Sequence, residues 1–246
     1  MKTREFIKNC LKVSLIIGYV WYRARFALFG EPTDTPIYEM LKYNILGAMT
    51  EKETNMVLAL EGILFLLYFH LIFGTYISRH FENMPSYYFS RIANKKKWFL
   101  GMAVKLFFWS VVYVFLYLGS ELMVVRCLSR AAIDDNAVVI FILLWIICTI
   151  LCFWGAVWIN IFSIIWNKII GFVVFYVVVL FCLLLPMVTL DFTIQFFNPL
   201  CYMDMLEKMD HWLWAKLLYL TILMIGAVVY GVKFLGTYDI SLKEVD

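Results

Sequence analysis

Long apolar runs separated by short polar segments make up most of the chain. Six of these runs are long enough to form helices that cross a membrane, because about 20 apolar residues cover a hydrocarbon core of about 30 Å. Their predicted bounds are 11–29, 56–77, 98–119, 137–159, 169–190 and 212–236. The pattern therefore predicts an all-α membrane protein with six transmembrane helices in one domain over residues 1–246.

Two polar segments carry a helical pattern of their own. Residues Lys2–Leu11 place apolar side chains on one face and charged side chains on the other, which predicts an interfacial helix at the N-terminus. Between the second and third runs, Asn83 and Pro85 are good helix-start residues, and Ser86–Ile92 is predicted to form a short cytoplasmic helix.

Composition agrees with a membrane location. Of the 246 residues, 64% are hydrophobic and only 16% are charged, whereas a soluble domain needs about a quarter of its residues charged. The basic residues cluster by loop and form no groove interleaved with aromatic residues, which argues against nucleic-acid binding. No small-residue cleavage site follows Leu15–Trp21, so we expect the first run to be retained as a span.

Basic residues predict the orientation of the spans, since loops rich in Lys and Arg stay in the cytoplasm. The densest cluster lies around the segment between the second and third runs, at Arg79, Arg91, Lys95, Lys96 and Lys97. With this segment inside, the N-terminus and the C-terminus are both cytoplasmic. The sequence thus predicts a multi-pass protein of the cell membrane.

Motifs for chemistry within this chain are missing from the sequence. It contains no G-x-x-x-x-G-K-[ST] phosphate-binding loop, no H-E-x-x-H and no G-x-S-x-G. The three histidines, His70, His80 and His211, fall in different predicted compartments. We therefore expect no catalytic, cofactor-binding or metal-binding residue here. Cys127 and Cys201 lie in predicted outer loops, so a disulfide between them is an open alternative.

Two ionisable residues lie inside the second predicted span, Glu61 and His70. An ionisable group within a membrane is costly and often marks a transport pathway, so both are candidates for pathway lining. Nine positions apart, they fall on nearly opposite faces of a helix and cannot form an acid–base pair within it. A structural role, as polar groups satisfied inside a helix bundle, is the alternative for each.

The basic segment after the second run has two interpretations. In the predicted helix Ser86–Ile92, Tyr88, Phe89 and Ile92 share an apolar face beside Arg91. Such a helix can lie on anionic lipid, held by its basic neighbours. It can also dock on a cytosolic partner protein, and the two roles are compatible.

Several features taken in order resemble a known family. Arg91, Lys97-Trp98 and Lys105 follow the second run, Phe197-Asn198-Pro199 lies between the fifth and sixth runs, and Lys233-Phe234 leads into Tyr238-Asp239-Ile240. With the basic N-terminus and six spans, this order is similar to the membrane subunits of ABC transporters of the ABC-2 type. The likeness is greatest to small separate permeases of peptide and lantibiotic export and immunity systems.

The resemblance implies a permease that performs no catalysis itself. ATP and Mg²⁺ would be bound by a separate dimeric ATP-binding protein. A second permease subunit, identical or paralogous, would complete a pathway for a peptide-like, amphipathic substrate or antimicrobial. The residues that would couple this chain to the ATPase lie at the end of the second run and in the segment after it: Glu82, Pro85, Tyr87, Tyr88, Phe89, Arg91 and Ile92.

Three other function classes stay open from the residues alone. An intramembrane enzyme would need Glu and His side chains clustered on facing helices. A secondary transporter would need more charge or broken helices near the middle of the membrane. A scaffold that senses a ligand without moving it is a third alternative.

Overall fold

The computed structural model describes residues 7–8, 10–15, 17–20, 56–82, 94–128, 135–188, 196–200 and 212–237. Within these ranges the regular structure is helical throughout and contains no strand. The helices are numbered along the chain as α1 Cys10–Val20, α2 Met56–Phe73, α3 Tyr76–Glu82, α4 Lys95–Leu128, α5 Asp135–Ile165, α6 Lys168–Val188 and α7 Trp212–Thr237. The predicted all-α class is confirmed for the described part of the chain.

Three of the described helices, α4, α5 and α7, are long and apolar enough to cross a membrane. Their qualifying stretches are Lys95–Val124, Ala137–Ile165 and Leu213–Thr237, of 30, 29 and 25 residues. At about 1.5 Å per residue each exceeds the core thickness of about 30 Å. The structure is therefore compatible with a membrane protein, and the count of six spans stays a prediction.

Helix α5 occupies the centre of the bundle. It contacts α2, α3, α4, α6 and α7, and 61% of its most apolar stretch is buried inside the chain. The corresponding buried share is 44% for α4 and only 17% for α7. Because α5 is apolar on nearly all sides, it can be covered by neighbours all round.

Aromatic side chains fill the contact between α2 and α4. Phe73 stacks on Trp109 with ring centroids 5.4 Å apart, and Phe69 lies 5.1 Å from Tyr113. The hydroxyl of Tyr113 donates a 2.6 Å hydrogen bond to the carbonyl oxygen of Phe65, so this buried phenol is satisfied. The cluster fixes the position of α2 against α4.

The second predicted span, 56–77, is wrong as a single helix. The described chain breaks at Gly74–Thr75, and α3 follows as a separate short helix that ends at Glu82. A glycine followed by a β-branched residue weakens a helix, and the broken ends find other hydrogen-bond partners, as set out below. The break lies at the end of the bundle where α4 and α6 begin.

The end of the fourth predicted span, at residue 159, is also wrong. Helix α5 continues to Ile165, and only Trp166 and Asn167 separate it from α6. The Asn167 side chain accepts a 2.8 Å hydrogen bond from the Ile170 amide and caps α6. Asn160 is therefore an interior residue of α5.

The other predicted bounds differ at the helix ends. The predicted third span, 98–119, lies within α4, which starts at Lys95 and continues to Leu128 into the predicted loop. The predicted fifth and sixth spans, 169–190 and 212–236, agree with α6 and α7 to within two residues at each end. Of the predicted first span and interfacial helix, most residues lie outside the described ranges.

Close helix contacts occur where glycine leaves room. A Cβ on Gly171 of α6 would lie 2.5 Å from Ser163 Oγ and 2.7 Å from the Ser163 backbone nitrogen of α5. On α7, a Cβ on Gly231 would lie 2.5 Å from the Phe99 ring of α4. The absence of a side chain thus allows α6 to approach α5 and α7 to approach α4.

Candidate functional site

The break between α2 and α3 lies shortly before the predicted coupling residues. The Gly74 amide donates a 2.7 Å hydrogen bond to the carbonyl oxygen of His70, which closes the last turn of α2. The Arg79 amide donates to the Thr75 carbonyl oxygen at 2.9 Å, which closes the first turn of α3. One helix thus ends and the next begins within Gly74–Thr75.

The first amides of α3 are capped by a side chain from another helix. Asn160 Oδ1 of α5 accepts hydrogen bonds from the Ile77 amide at 2.7 Å and the Ser78 amide at 2.9 Å. Its Nδ2 donates to the carbonyl oxygen of Ala156 at 2.7 Å, and Asn160 is fully buried. A helix N-terminus leaves its first amides without internal partners, and buried amides need acceptors. Asn160 supplies one to both.

Thr75, at the position that would normally cap α3, binds Arg79 instead. Thr75, which precedes α3, would be expected to cap Ile77 or Ser78 with its hydroxyl. Its Oγ1 instead accepts a 3.2 Å hydrogen bond from the Arg79 guanidinium. The Asn160 side chain thus replaces a cap that the local sequence could have supplied.

The other end of α3 is tied to α4 and α6. Glu82, its last residue, forms an ion pair with Lys168, the first residue of α6. Phe81 is buried and its ring lies 6.5 Å from the ring of Trp98 on α4. Helix α3 is therefore held at its start by α5 and at its end by α4 and α6.

Of the predicted coupling residues, Glu82 is the one that the structure describes. It lies at the end of α3, directly before the segment predicted to dock, and its side chain is partly exposed beside Lys168. The others lie outside the described residues: Pro85, Tyr87, Tyr88, Phe89, Arg91 and Ile92. Their role stays a prediction.

His70, a candidate for pathway lining, is a buried residue that joins three helices. Its Nε2 lies 3.1 Å from the Cys152 carbonyl oxygen of α5, which can only accept, so Nε2 carries a proton. In the neutral ring, Nδ1 then accepts from the Tyr176 hydroxyl of α6 at 2.8 Å. Both ring nitrogens are satisfied, as the structural alternative for His70 requires.

Close packing surrounds this imidazole. Phe175 meets its ring edge-on at 5.2 Å, and a Cβ on Gly155 would lie 2.6 Å from Cε1 of the imidazole. Glycine at position 155 is therefore what allows the ring to reach the backbone of α5. A small apolar cleft lies beside it, bordered by α2, α5 and α6 and by Leu200. Because both ring nitrogens of His70 are already hydrogen-bonded, the cleft presents mainly apolar surface.

Glu61, the other pathway candidate, lies within α2, but its side chain is outside the described part of the structure. It is nine positions before His70 in the same helix. Whether the two line a common pathway stays a prediction.

Asn198 caps the turn that follows it and also bonds to α6. Its Oδ1 accepts a 3.0 Å hydrogen bond from the Leu200 amide, which caps the turn begun by Pro199. Its Nδ2 donates to the Cys182 carbonyl oxygen of α6. This segment is thereby fastened to the bundle beside the apolar cleft.

Cysteine and metal chemistry find little support among the described residues. The described thiols of Cys10, Cys148, Cys152 and Cys182 are free. In the same part of the chain, His, Cys, Asp and Glu side chains form no group of three that could hold a metal ion. Cys201 and the side chain of Cys127 lie outside the described part, so their pairing is untested.

Sequence reasoning missed three residues that organise this region: Asn160, Lys168 and Tyr176. A signal existed for the first, since Asn160 is an amide within a long apolar run, where a polar side chain usually has a specific partner. Lys168 and Tyr176 carry no comparable signal. Snorkelling lysines are common at helix ends, and a single tyrosine inside an apolar helix rich in aromatic residues does not stand out.

Comparison of the chain with known protein families, with curated proteins and with solved structures found no match.

Proposed function

We propose that this chain is the membrane-spanning permease subunit of an ATP-driven exporter of the ABC-2 type. It moves an amphipathic, peptide-like substrate or antimicrobial outward. The ATP-binding protein is a separate dimeric subunit that holds ATP and Mg²⁺, and this chain catalyses no reaction. A second permease subunit, identical or paralogous, completes the pathway.

One observation carries the proposal: a short helix, α3, leads from the apolar α2 into segment 83–93, which is followed by the three lysines that open α4. Its end at Glu82 lies beside Lys168 at the start of α6, and Phe81 lies beside Trp98 near the start of α4. A protein pressing on segment 83–93 would therefore act at the point where three helices begin or end. Such an arrangement suits a subunit driven from outside the membrane.

Charge and apolar surface support a membrane setting. Three consecutive lysines, Lys95, Lys96 and Lys97, open α4 beside this region, and positive charge favours the cytoplasmic side. Large apolar side chains on the outer faces of the helices are exposed within the single chain, such as Leu218 and Ile222 on α7. In the proposed assembly these faces meet lipid or the second permease subunit.

The mechanism follows from the position of α3. When ATP closes the partner dimer, segment 83–93 moves with it and displaces α3. Because α3 is separated from α2 by the break at Gly74–Thr75, it can tilt without bending α2 as a whole. The helices packed against α3 then rearrange, and the substrate is released outward or extracted from the outer leaflet.

The test replaces the apolar face of the predicted docking helix. We expect the double variant Tyr88→Ala, Phe89→Ala to lose binding to the proposed ATP-binding protein. Substrate-dependent ATPase activity should fall by about tenfold or more, since buried aromatic side chains dominate interface energies. Membrane insertion should stay normal. Co-purification and ATPase assays in proteoliposomes measure both effects.

A matched control removes two aromatic rings from the exposed face of α4, Phe108→Ala and Phe115→Ala. This variant should keep partner binding and ATPase stimulation. Unchanged ATPase coupling in the Tyr88 and Phe89 variant contradicts the proposed docking. Peptide cleavage by the purified chain, or substrate flux driven by an ion gradient without ATP, would instead favour an intramembrane enzyme or a secondary transporter.

A further inference from the structure

We infer that Asn160 and Lys168 are positioning residues that make α3 move with α5 and α6 rather than with α2. A displacement of segment 83–93 is thereby delivered to the α5–α6 hairpin, which we define as residues 135–188. The inference rests on the proposed function, because it assumes that segment 83–93 is moved by an ATP-binding partner.

The first step is the transfer of backbone hydrogen bonds at the break. In a continuous helix the amides of Ile77 and Ser78 would donate to the carbonyl groups four residues earlier, those of Phe73 at the end of α2 and of Gly74 in the break. They donate to Asn160 Oδ1 of α5 instead. Two hydrogen bonds that would have continued the helix across the break therefore join α3 to α5.

The cap is held rigidly on α5. Asn160 is fully buried, and its Nδ2 donates to the Ala156 carbonyl oxygen one turn earlier in the same helix. This bond fixes the orientation of the amide, so that Oδ1 points at the start of α3. A shift of Ile77 and Ser78 must pull on α5 or break two buried hydrogen bonds.

The second tie is weaker and lies at the other end. The ion pair between Glu82 and Lys168 is partly exposed, with side-chain exposures of 41% and 42%, and exposed pairs contribute little stability. The ion pair matters for position rather than for stability, because it holds the last residue of α3 next to the first residue of α6. The buried cap and the exposed pair together fasten both ends of α3 to one hairpin.

The hairpin itself is built to move as a unit. Only Trp166 and Asn167 separate its helices, and Gly171 lies so close to Ser163 that a methyl group would not fit between them. Farther along, Tyr176 of α6 and the Cys152 carbonyl of α5 hold opposite nitrogens of His70. Movement of the hairpin therefore reaches α2 through His70, beside the apolar cleft.

Hydrogen exchange on the purified full chain in nanodiscs tests the cap without any ATPase. In Asn160→Leu, the amides of Ile77 and Ser78 should exchange about tenfold faster or more, since they lose their acceptor. Asn160→Asp keeps the acceptor and should restore most of the protection. The control Asn94→Leu removes a similar cap from the Lys97 amide of α4 and should leave α3 unchanged.

Charge reversal tests the second tie in the assembled transporter. Glu82→Lys and Lys168→Glu should each lower substrate-stimulated ATPase activity by about twofold to fivefold, as expected for an exposed pair. The double reversal should recover most of the loss, which a general defect in folding would not show. Wild-type exchange in Asn160→Leu, or no recovery in the double reversal, overturns the inference.

The hydrogen-exchange and ATPase experiments together distinguish failure of this inference from failure of the proposed function. If the wild-type chain stimulates no ATPase at all, the proposed function fails, and the positioning role fails with it even when exchange confirms the cap. If ATPase stimulation is normal in the wild type and Asn160→Leu loses protection without losing stimulation, the proposed function stands. In that case the positioning role of Asn160 is wrong.

Discussion

Asn160 and His70 show how single polar side chains organise an apolar bundle. Each is buried, and each makes hydrogen bonds that reach a helix other than its own. A buried amide or imidazole without partners is costly in an apolar setting, so such groups persist where partners are placed for them. Apart from the Tyr176 hydroxyl, the partners are backbone groups, which makes the contacts sensitive to helix position.

Gly155 is a residue at which one methyl group is expected to matter. Its Cβ in Gly155→Ala would lie 2.6 Å from both His70 Cε1 and Phe175 Cζ. The ring of His70 is held by two hydrogen bonds and cannot withdraw without losing them. We expect a loss of about 1–3 kcal/mol in the free energy of unfolding, as for overpacked cores, measured by detergent titration.

The control for this variant is Gly226→Ala, on the open face of α7, where an added Cβ meets no atom within 4 Å. Alanine favours helix over glycine by up to about 1 kcal/mol, so this change should be neutral or stabilising. Equal effects of the two variants would contradict the packing described around His70.

At the scale of elements, the stiffness of a contact between two helices depends on which atoms of one helix face a glycine of the other. Gly171 faces the backbone of α5, whereas Gly231 faces the ring of Phe99 on α4. Phe99 is fully buried, but the end of a side chain can still shift more easily than a helix backbone can. The α5–α6 contact is therefore stiffer than the α4–α7 contact, and α7 is also the least buried of the three long helices.

This difference predicts unequal effects of the same substitution. Gly171→Ala should destabilise the protein by about 2–3 kcal/mol, at the upper end for overpacking, because backbone atoms must move. Gly231→Ala should cost about 1 kcal/mol, because Phe99 can adjust. Detergent-induced unfolding of the two variants, prepared identically, measures the difference. A larger loss for Gly231→Ala would contradict the ranking.

For the whole molecule, the proposed function depends on which side of the membrane segment 83–93 faces. A cysteine introduced at Asn94, at the start of α4, should react with a membrane-impermeant maleimide only after the membrane is opened. A cysteine introduced at Ser129, after the end of α4, should react in intact cells. Helix α4 is long enough to separate the two sites by a membrane.

The background for this labelling is the chain with its accessible native thiols replaced by serine. Cys148 and Cys152 are fully or almost fully buried in α5 and can stay. Labelling of the Asn94 site from outside would invert the orientation and remove the proposed contact with a cytosolic ATPase. Labelling of both sites from the same side would contradict a membrane-spanning α4.

The amino-acid sequence was sufficient for the helical class, for the positions of α6 and α7 and for the basic region at the start of α4. These properties depend only on the length and polarity of local stretches, so the rise and periodicity of a helix are enough to predict them. The cap that Asn198 provides for Leu200 was also predictable, because it joins residues two positions apart. Local signals of this kind need no knowledge of neighbouring helices.

The contacts that define the candidate site join distant residues and could be recognised only once the helices were packed. Asn160 meets Ile77 across 83 positions of the chain, and His70 meets Tyr176 across 106. In the sequence, Gly74–Thr75 looks like the end of an apolar run. The break there is recognisable only in the folded bundle, where Asn160 of α5 accepts hydrogen bonds from the amides that follow it. A helix break, a cap from another helix and a shared imidazole are properties of pairs of helices, so the folded bundle decides them.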